Sequence, residues 1–255
     1  MATLAVFGET AEALRADGAA SLWFWQCKDP GLRLRILPRR GRRDLVAAAI
    51  VARLRSLRRD GGLERWFPSR YEPEIPALGG PVTAAAFHRH AAADARLHAL
   101  AAPALHERPW SPAVLSLALL DDLFSRALPD NPEEVWDVWC HLAEMHGQLP
   151  TPAALPLHPP SLARLARCCP RDAQGDRLRR HLSGMARANA ALTGALGHAW
   201  SGGRLLGGQR RFLAIVALFH WNRLRLDPAE RRRLLAGMTA RPTLFDRPLL
   251  LVATP

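Results

Sequence analysis

The sequence predicts an α+β protein, with a ferredoxin-like β-α-β-β-α-β part over residues 1–80 and a largely helical part over residues 81–255. Two observations support this. Short runs before residue 75 alternate apolar and polar side chains, as half-buried strands do, whereas apolar residues recur at helical spacing through most of the remainder. With 255 residues the chain can bury a sizeable core, so we expect the two parts to form one compact domain.

The first part contains six predicted elements. They are a strand at residues 3–7, a helix at 9–17 that Gly18 ends, strands at 22–27 and 32–37, a helix at 44–59 that Gly61 ends, and a fourth strand at 63–74. The Lys-Asp-Pro-Gly sequence at residues 28–31 predicts a tight turn between the second and third strands. The resulting β-α-β-β-α-β order is the ferredoxin-like one.

The second part is predicted to be helical. Helices are expected at residues 81–100, 112–127, 132–146, 161–168, 176–200, 209–223 and 228–238. Several of them start with a proline that follows a residue able to cap a helix, as in Ser111-Pro112, Asn131-Pro132 and Asp227-Pro228. Five prolines at residues 149–160 indicate a linker-like loop.

The balance of charge indicates an acidic partner. The formal net charge is +12, and Lys28 is the only lysine. Nucleic acid is the obvious candidate, but no helix-turn-helix, zinc finger or RNA-binding sheet signature is present. An acidic peptide suits the charge equally well, and a nucleic acid is the less expected partner. No apolar run is long enough to span a membrane, and the first residues lack a secretory signal. We therefore expect a cytoplasmic protein without membrane contact.

Common catalytic and metal-binding motifs are absent from the sequence. There is no Walker loop, no Gly-x-Ser-x-Gly elbow and no His-Glu-x-x-His pair. His88, His90, His141 and His146 fall on predicted helices without a carboxylate at zinc-ligand spacing, so we expect them at the surface. No metal and no cofactor are therefore expected.

Two candidate site segments fall in the first part. Arg33 and Arg35 alternate with apolar residues, so both point to one face of a strand. Paired guanidinium groups suit a carboxylate or carbonyl, although a solvated strand face has the same pattern. Tyr71, the only tyrosine, is followed by Glu72 and Glu74. A phenol and carboxylates at a strand end can act as acid and base, or can form an ordinary strand exit.

Two further segments combine basic and polar residues. His220, Asn222 and Arg223 end an otherwise apolar helix, where they form either a helix cap or part of a site. The Arg-Arg-Gly-Arg-Arg run at residues 39–43 is either a solvated loop and helix start or a surface that attracts an acidic peptide. The sequence pattern leaves both alternatives open.

Three segments together resemble the C-terminal domain of lantibiotic dehydratases. Residues 23–35, Trp-Phe-Trp-Gln-Cys-Lys-Asp-Pro-Gly-Leu-Arg-Leu-Arg, resemble its hairpin of an aromatic strand, an Asp-Pro turn and a Leu-Arg-Leu-Arg strand. Residues 71–81, Tyr-Glu-Pro-Glu-Ile-Pro-Ala-Leu-Gly-Gly-Pro, resemble its Tyr-x-x-Glu-x-x-Arg-Tyr-Gly-Gly signature. Residues 218–224, Leu-Phe-His-Trp-Asn-Arg-Leu, partly resemble its terminal His-x-x-x-Asn-Arg-Leu helix. The order of the segments is that of the family.

The resemblance implies an enzyme that acts on a ribosomally made peptide. In this family the domain eliminates glutamate from glutamylated serine or threonine. Stand-alone relatives include eliminases of split dehydratases and the pyridine synthases of thiopeptide pathways. The signature arginine of the eliminases falls at Ala77, their following aromatic at Leu78 and their helix histidine at Leu218, so that His220 lies two positions late. These departures, with both strand arginines kept, favour a pyridine synthase.

The implied substrate is a leader-bearing precursor peptide with two dehydroalanines. A formal [4+2] aza-cycloaddition joins them into a pyridine, with loss of water and of the leader peptide, in one compact catalytic domain. The catalytic residues are then Tyr71, Glu74, His220 and Arg35. The substrate-binding residues are Arg33, Gln26, Lys28, Glu72, Asn222, Arg223, Arg39, Arg40, Arg42 and Arg43. The alternatives are a glutamate eliminase of a split dehydratase and a peptide-binding protein without catalysis.

Overall fold

Residues 2–28, 31–100, 111–149 and 157–240 are described by a computed structural model, and they are mainly helical with one antiparallel pair of strands. In chain order the elements are α1 (Ala2–Ala16), β1 (Ala20–Lys28), β2 (Gly31–Pro38), α2 (Arg43–Arg59), α3 (Pro81–Leu100), α4 (Pro112–Ala127), α5 (Pro132–Met145), α6 (Leu162–Arg167), α7 (Ala173–Ser201), α8 (Gln209–Leu224) and α9 (Pro228–Thr239). None of these described helices has the length and apolar character needed to cross a membrane.

β1 and β2 form the hairpin that the sequence predicts. Its register pairs Phe24 with Arg35 and Gln26 with Arg33. Because cross-strand partners share a face of the sheet, the two arginines lie beside Phe24 and Gln26. The two tryptophans of β1 alternate with these residues and are buried. The predicted turn at residues 29–30 lies outside the described residues.

The ferredoxin-like prediction is wrong, because the first predicted strand is part of a helix. α1 begins at Ala2 and runs through residues 3–7 without a break. Phe7, Ala11 and Leu14 are buried at the spacing that puts side chains on one face of a helix. This helix packs against β1 and α3. A tertiary contact therefore decides the state of a short apolar run that suits either a helix or a strand.

The fourth predicted strand is also wrong. Residues 63–74 contain no strand and form an irregular segment between α2 and α3. Pro68 and Pro73 lack the backbone N–H that a strand ladder requires. Over residues 2–59 the described order is thus α-β-β-α, with a sheet of two strands.

The seven predicted helices of the second part are confirmed, with ends that differ by at most three residues. Ser111, Asn131 and Asp227 cap their helices, because each side-chain oxygen accepts a hydrogen bond from a backbone N–H of the first turn. The proline that follows each cap occupies a position where no N–H is needed. Residues 150–156 of the predicted loop and residues 241–255 lie outside the described residues.

α3 is the helix around which the described fold packs. It contacts α1, β1, α7 and α8. The largest hydrophobic cluster joins Trp23 and Trp25 of β1 to Phe87 of α3 and Leu213 of α8, so it contains side chains from both sides of residue 80. The hairpin is therefore held against α3 and against α8, the helix that carries His220, Asn222 and Arg223.

His90 is buried on α3, which corrects its predicted surface position. Its Nε2 lies 2.9 Å from Oδ1 of Asn189, whose amide nitrogen donates to the Leu119 carbonyl and to Asp122. Because the Asn189 oxygen accepts, His90 Nε2 carries a proton. Burial lowers the pKa of His90 to about 4, although the charge of Asp94 opposes this shift.

We expect acid to destabilise the protein partly through His90. Its pKa falls from an ordinary value of 6.5 to about 4 in the fold, so the unfolded chain binds more protons between these values. The stability that the neutral ring contributes is complete above pH 6.5 and is lost as the pH falls to about 4, in total roughly 3 kcal/mol. In urea unfolding, His90→Gln should show a shallower decline over this range than the wild type. Exposed His158→Gln is the control, and equal declines in both variants would contradict the assignment.

Candidate active site

A cleft of about 780 Å³ opens where the hairpin, the segment before α3 and the end of α8 meet. Its lining comes from the hairpin, from residues 70–78, from α8 with the two residues after it, and from Arg231 of α9. A concave site of this size can hold a peptide segment. Eight of the predicted site residues line it: Gln26, Lys28, Arg33, Arg35, Tyr71, Glu72, Glu74 and Asn222.

The cleft is strongly cationic. Six basic and two acidic residues line it, a formal surplus of four positive charges. Three of the six basic residues are among the predicted ones, and the structure adds Arg70, Arg225 and Arg231. A surface with this balance attracts anionic groups and carbonyl oxygens.

Arg33 and Arg35 reach the cleft from one face of β2, as the strand pattern predicts. Burial lowers the pKa of Arg35, and the charge of Arg33 lowers it further. Nη1 of Arg35 contacts Ser69 Oγ at 3.3 Å, and its buried Nε has no hydrogen-bond partner among the described residues. The guanidinium therefore keeps donor capacity for the carbonyl or carboxylate of a ligand.

Tyr71 contributes the phenol of the cleft. Its hydroxyl oxygen lies 2.6 Å from Nε2 of His88 on α3. Its ring makes an edge contact with Phe24, and the Arg35 guanidinium lies 5.2 Å from the ring centroid. Burial raises the pKa of Tyr71; the charge of Arg35 opposes this rise and that of Glu74 adds to it. The phenol is therefore protonated at neutral pH.

A tight turn carries Leu78 into the cleft and leads into α3. Gly79 and Gly80 of this turn have positive φ angles of 76° and 113°. A Cβ on Gly79 would lie 2.7 Å from Leu205 Cδ1 and 2.9 Å from Thr83 Oγ1, so no side chain fits there. The Gly-Gly pair that follows the Tyr-Glu-Pro-Glu segment is thus required by close packing and by backbone conformation.

His220 and Arg223, two more predicted site residues, lie in the core and do not line the cleft. A helix turns by about 100° per residue, so His220 faces away from Leu218, two positions earlier. Asn222, four positions after Leu218, shares its face and lines the cleft with it. His220 and Arg223 are three positions apart, and both contact Asp94 of α3. The geometry therefore separates the predicted catalytic histidine from the other predicted catalytic residues.

A buried carboxylate organises this core face of α8. The oxygens of Asp94 lie 2.9 and 3.0 Å from His220 Nδ1, and one of them lies 2.6 Å from Arg223 Nε. His98 Nε2 is 3.1 Å from the same carboxylate, without the alignment of a hydrogen bond. Burial by itself would raise the pKa of Asp94, but His220 and Arg223 hold it well below its usual value.

Ser116 of α4 joins the same network. Its Oγ lies 2.9 Å from His220 Nε2 and accepts a hydrogen bond from Trp221 Nε1. The sequence of contacts from serine through histidine to aspartate resembles a hydrolase triad, but these three residues are buried and none lines the cleft. We therefore assign the network a structural role.

The same network contains the donor set that could hold a metal ion. Ligand atoms of Asp94, His98 and His220 lie within 4.8 Å of one another. Arg223 already neutralises Asp94, however, so a dication would leave buried positive charge without compensation. The charge balance thus favours an ion pair over a metal centre.

The predicted arginine run lies outside the cleft. Arg39, Arg40, Arg42 and Arg43 are exposed in the turn after β2 and at the start of α2. A strand rises about 3.3 Å per residue, which puts Arg39 roughly 13 Å from Arg35 along the strand direction. The run is therefore a separate basic surface near the cleft.

Three features of the site and its surroundings were not predicted from the sequence. His88 was expected at the surface, because Tyr71 lies 17 residues away and no local pattern links the two. Asp94 and His98, in contrast, show the i, i+4 spacing of a helical pair, a signal that was visible on a predicted helix. Arg225 and Arg231 carried no signal, because arginine is frequent throughout the chain.

Comparison with known proteins accounts for this combination of hairpin, glycine turn and C-terminal helix. The family model described as "Lantibiotic biosynthesis dehydratase C-term" matches residues 4–241. The chain belongs to this family. The structure is also similar to the crystal structure of the tRNA-dependent lantibiotic dehydratase MibB from Microbispora sp. 107891, with a TM-score of 0.54 and 19% sequence identity. That match covers 90% of this chain and 25% of MibB, and at this identity it shows the fold alone.

Among curated proteins, none matches the sequence. Within the lantibiotic dehydratase C-terminal family, the chain resembles the eliminases but differs from their pattern at residues 77, 78 and 218. Leu78 and Leu218, where the resemblance places the aromatic and the histidine of the eliminases, both line the cleft with aliphatic side chains. Ala77, where it places the signature arginine, is exposed. The cleft therefore has an aliphatic side chain where the resemblance places the eliminase histidine.

Asp94→Asn should destabilise the protein by roughly 3–5 kcal/mol, because it leaves Arg223 as a buried cation without a counter-ion. Chemical denaturation at neutral pH measures the loss, with exposed Asp17→Asn as the control. Combining Asp94→Asn with Arg223→Met should recover part of the stability, because the buried charge is then removed. A loss below about 1 kcal/mol, the range of an exposed ion pair, would exclude this network as an anchor between α3 and α8.

Proposed function

We propose that the protein is a peptide-modifying enzyme that joins two dehydroalanines of a leader-bearing peptide into a pyridine by formal [4+2] aza-cycloaddition. The observation that carries this proposal is a single cleft that combines cationic, proton-carrying and aliphatic side chains. Membership of the lantibiotic dehydratase C-terminal family supports a ribosomally made peptide as substrate. The chain spans a quarter of MibB, so the dehydratase activity named for that protein is not carried over whole.

The proposed reaction forms two carbon–carbon bonds. One dehydroalanine and the iminol tautomer of its neighbouring amide make a 2-azadiene, and the second dehydroalanine supplies the alkene. The new σ bonds replace two π bonds and close a hydroxylated tetrahydropyridine. Loss of water and expulsion of the leader peptide as an amide then complete the aromatic ring, so that no oxidant is required.

The main demand on such an enzyme is to hold two distant alkenes together, which is worth several kcal/mol. The cleft offers groups for each part of the task. Arg33 and Arg35 bind peptide carbonyls and thereby acidify the adjacent amide N–H. Leu78 and Leu218 contact the uncharged alkenes. Tyr71 and Glu74 transfer protons during tautomerisation and elimination; the buried histidine of α8 has no part in this assignment.

A second candidate function is the elimination of glutamate from a glutamylated peptide. The surplus of positive charge in the cleft favours it, because arginine binds the carboxylates of a glutamate leaving group well. The aliphatic side chain of Leu218 disfavours it, because the resemblance places the eliminase histidine at this position. Peptide binding without catalysis is the third candidate, and it gives the Tyr71–His88 contact no chemical use.

The candidates differ in the products that they predict. The protein should convert a synthetic bis-dehydroalanine peptide with its leader into a pyridine product and a free leader amide, which mass spectrometry detects. It should release no glutamate from a glutamylated serine peptide. Glutamate release without cyclisation would establish an eliminase, and binding of both peptides without any change in mass would establish a binding protein.

Arg35→Ala and Tyr71→Phe should both slow the cyclisation without unfolding the protein. Loss of a proton-transfer group costs roughly 10²-fold or more, so Tyr71→Phe should reach that range. The exposed Arg58→Ala, on α2, removes the same charge outside the cleft and should leave turnover unchanged. Rates are measured under single-turnover conditions beside melting curves. A loss below about threefold in Tyr71→Phe would assign its hydroxyl to packing.

The basic run at residues 39–43 should bind an acidic leader mainly by charge. Replacing Arg39, Arg40, Arg42 and Arg43 with glutamine should weaken leader binding. It should also flatten the salt dependence of binding, because fewer charge contacts then remain for salt to screen; the Debye length is about 8 Å at physiological ionic strength. Fluorescence anisotropy of a labelled leader measures both effects.

A matched control for this test removes four exposed arginines elsewhere. Glutamine at Arg164, Arg167, Arg171 and Arg187 lowers the net charge by the same amount and should have a smaller effect. Equal effects of the two quadruple variants would show that only the net charge matters. Displacement of the leader by tRNA at physiological salt would contradict the peptide assignment.

A further inference from the structure

His88 is the described histidine that bonds a polar side chain of the cleft. Its Nε2 lies 2.6 Å from the hydroxyl oxygen of Tyr71, which lines the cleft. The rings of His88 and Tyr71 are nearly perpendicular. Phe24 of β1 and Phe87 of α3 also contact the imidazole. His88 is therefore enclosed by aromatic rings, with one nitrogen aimed at the phenol.

Nε2 of His88 faces the phenol, and the backbone of Ala84, one helical turn earlier, raises the pKa of the ring. A carbonyl oxygen can only accept, so we assign the ring proton to Nδ1 and the Nε2 lone pair to the contact with Tyr71. The phenol O–H then donates to Nε2, and the free lone pairs of the phenol oxygen remain for a ligand in the cleft.

Both members of this pair are uncharged at neutral pH. Burial lowers the pKa of His88, and the backbone of Ala84 opposes that shift. Burial raises the pKa of Tyr71. The charged groups that act on Tyr71 are Arg35 from β2, which favours the phenolate, and Glu74 from the same segment, which disfavours it. The groups that contact His88 from β1 and from α3 itself are phenylalanines.

We propose that His88 is the proton acceptor behind Tyr71, so that the phenol relays a proton from the substrate into the protein and back. When the Tyr71 oxygen takes the proton of the amide N–H, its own proton passes to His88 Nε2 and an imidazolium forms. The substrate keeps the electron pair as an iminolate next to Arg35. The proton returns by the same path to the iminolate oxygen, which gives the iminol that enters the cycloaddition. His88 is thus a positioning residue that acts through Tyr71, and this role rests on the proposed function.

The chain offers a readout of this pair that needs no substrate. Tyr71 is the only tyrosine, so the ultraviolet absorbance of tyrosinate reports one group in the whole protein. A hydrogen bond that the phenol donates stabilises its neutral form and raises its pKa. His88→Ala should therefore lower the Tyr71 pKa. His88→Gln, whose amide oxygen can replace Nε2 as acceptor, should keep it close to that of the wild type.

Turnover of the bis-dehydroalanine peptide distinguishes proton transfer to His88 from a role in which His88 only accepts the phenol hydrogen bond. A glutamine can accept the phenol hydrogen bond but cannot hold the proton, so His88→Gln should still slow turnover by roughly 10²-fold. Adding Tyr71→Phe should slow it little further, because both changes interrupt one path. The wild type should lose activity as the pH falls through the His88 pKa, which lies below 6.5, and His88→Gln should lack this acidic limb.

Several outcomes would overturn the relay. A Tyr71 pKa that does not move in His88→Ala would do so whether or not any peptide is converted. Full turnover in His88→Gln, or multiplicative losses in the double variant, would reduce His88 to packing. Exposed His158→Gln controls for loss of a histidine. If the expected Tyr71 titration is seen but no peptide cyclises, the contact stands and the proposed reaction fails.

Discussion

The geometry of the cleft depends on one carboxylate that has no contact with solvent. Asp94 draws His220 and Arg223 onto α3, and a buried charge is tolerated only when its partners are in place. Rotation of α8 about its own axis would separate His220 and Arg223 from Asp94 and leave a buried charge without a partner, so the orientation of α8 is fixed. Because the face with His220 and Arg223 is buried, the face that carries Leu218 and Asn222 points into the cleft.

The other side of the cleft follows from an equally simple rule. β1 buries its two tryptophans, and the alternation of side chains along a strand then turns the arginines of β2 toward the cleft. This arrangement leaves two neighbouring guanidinium groups partly desolvated and close to each other, and burial and mutual repulsion lower the pKa of Arg35. A ligand that brings carbonyl or carboxylate oxygens would therefore find two neighbouring hydrogen-bond donors of the same charge.

The backbone framework of the family does not by itself determine which chemical groups line the cleft. The hairpin, the Gly-Gly turn and the C-terminal helix place side chains in fixed directions, and they do so whichever side chains occupy those positions. Leu218 presents an aliphatic side chain to the cleft from α8, and Nε2 of His88 on α3 lies 2.6 Å from the Tyr71 hydroxyl oxygen. Under the proposed function, a change of reaction within this family would need only a few substitutions on an unchanged framework.

Local patterns predicted much of this protein. The hairpin, the helices of the second part and the caps Ser111, Asn131 and Asp227 depend on neighbours within a few residues, and the structure confirms them. The arginine face of β2 follows from the same short-range rule.

Most of the predictions that failed depended on contacts between distant residues. The run at residues 3–7 became a helix because β1 and α3 pack against its apolar helical face. The strand predicted at residues 63–74 failed for a local reason, because Pro68 and Pro73 lack the backbone N–H that a strand ladder requires. His220 was expected beside Tyr71, yet an aspartate 126 positions away turned it into the core. Sequence alone determined which chemical groups the protein carries and the local elements that hold them. Only the tertiary structure decided which groups share a cleft, because burial and charge pairing between remote segments set the direction of each helix face.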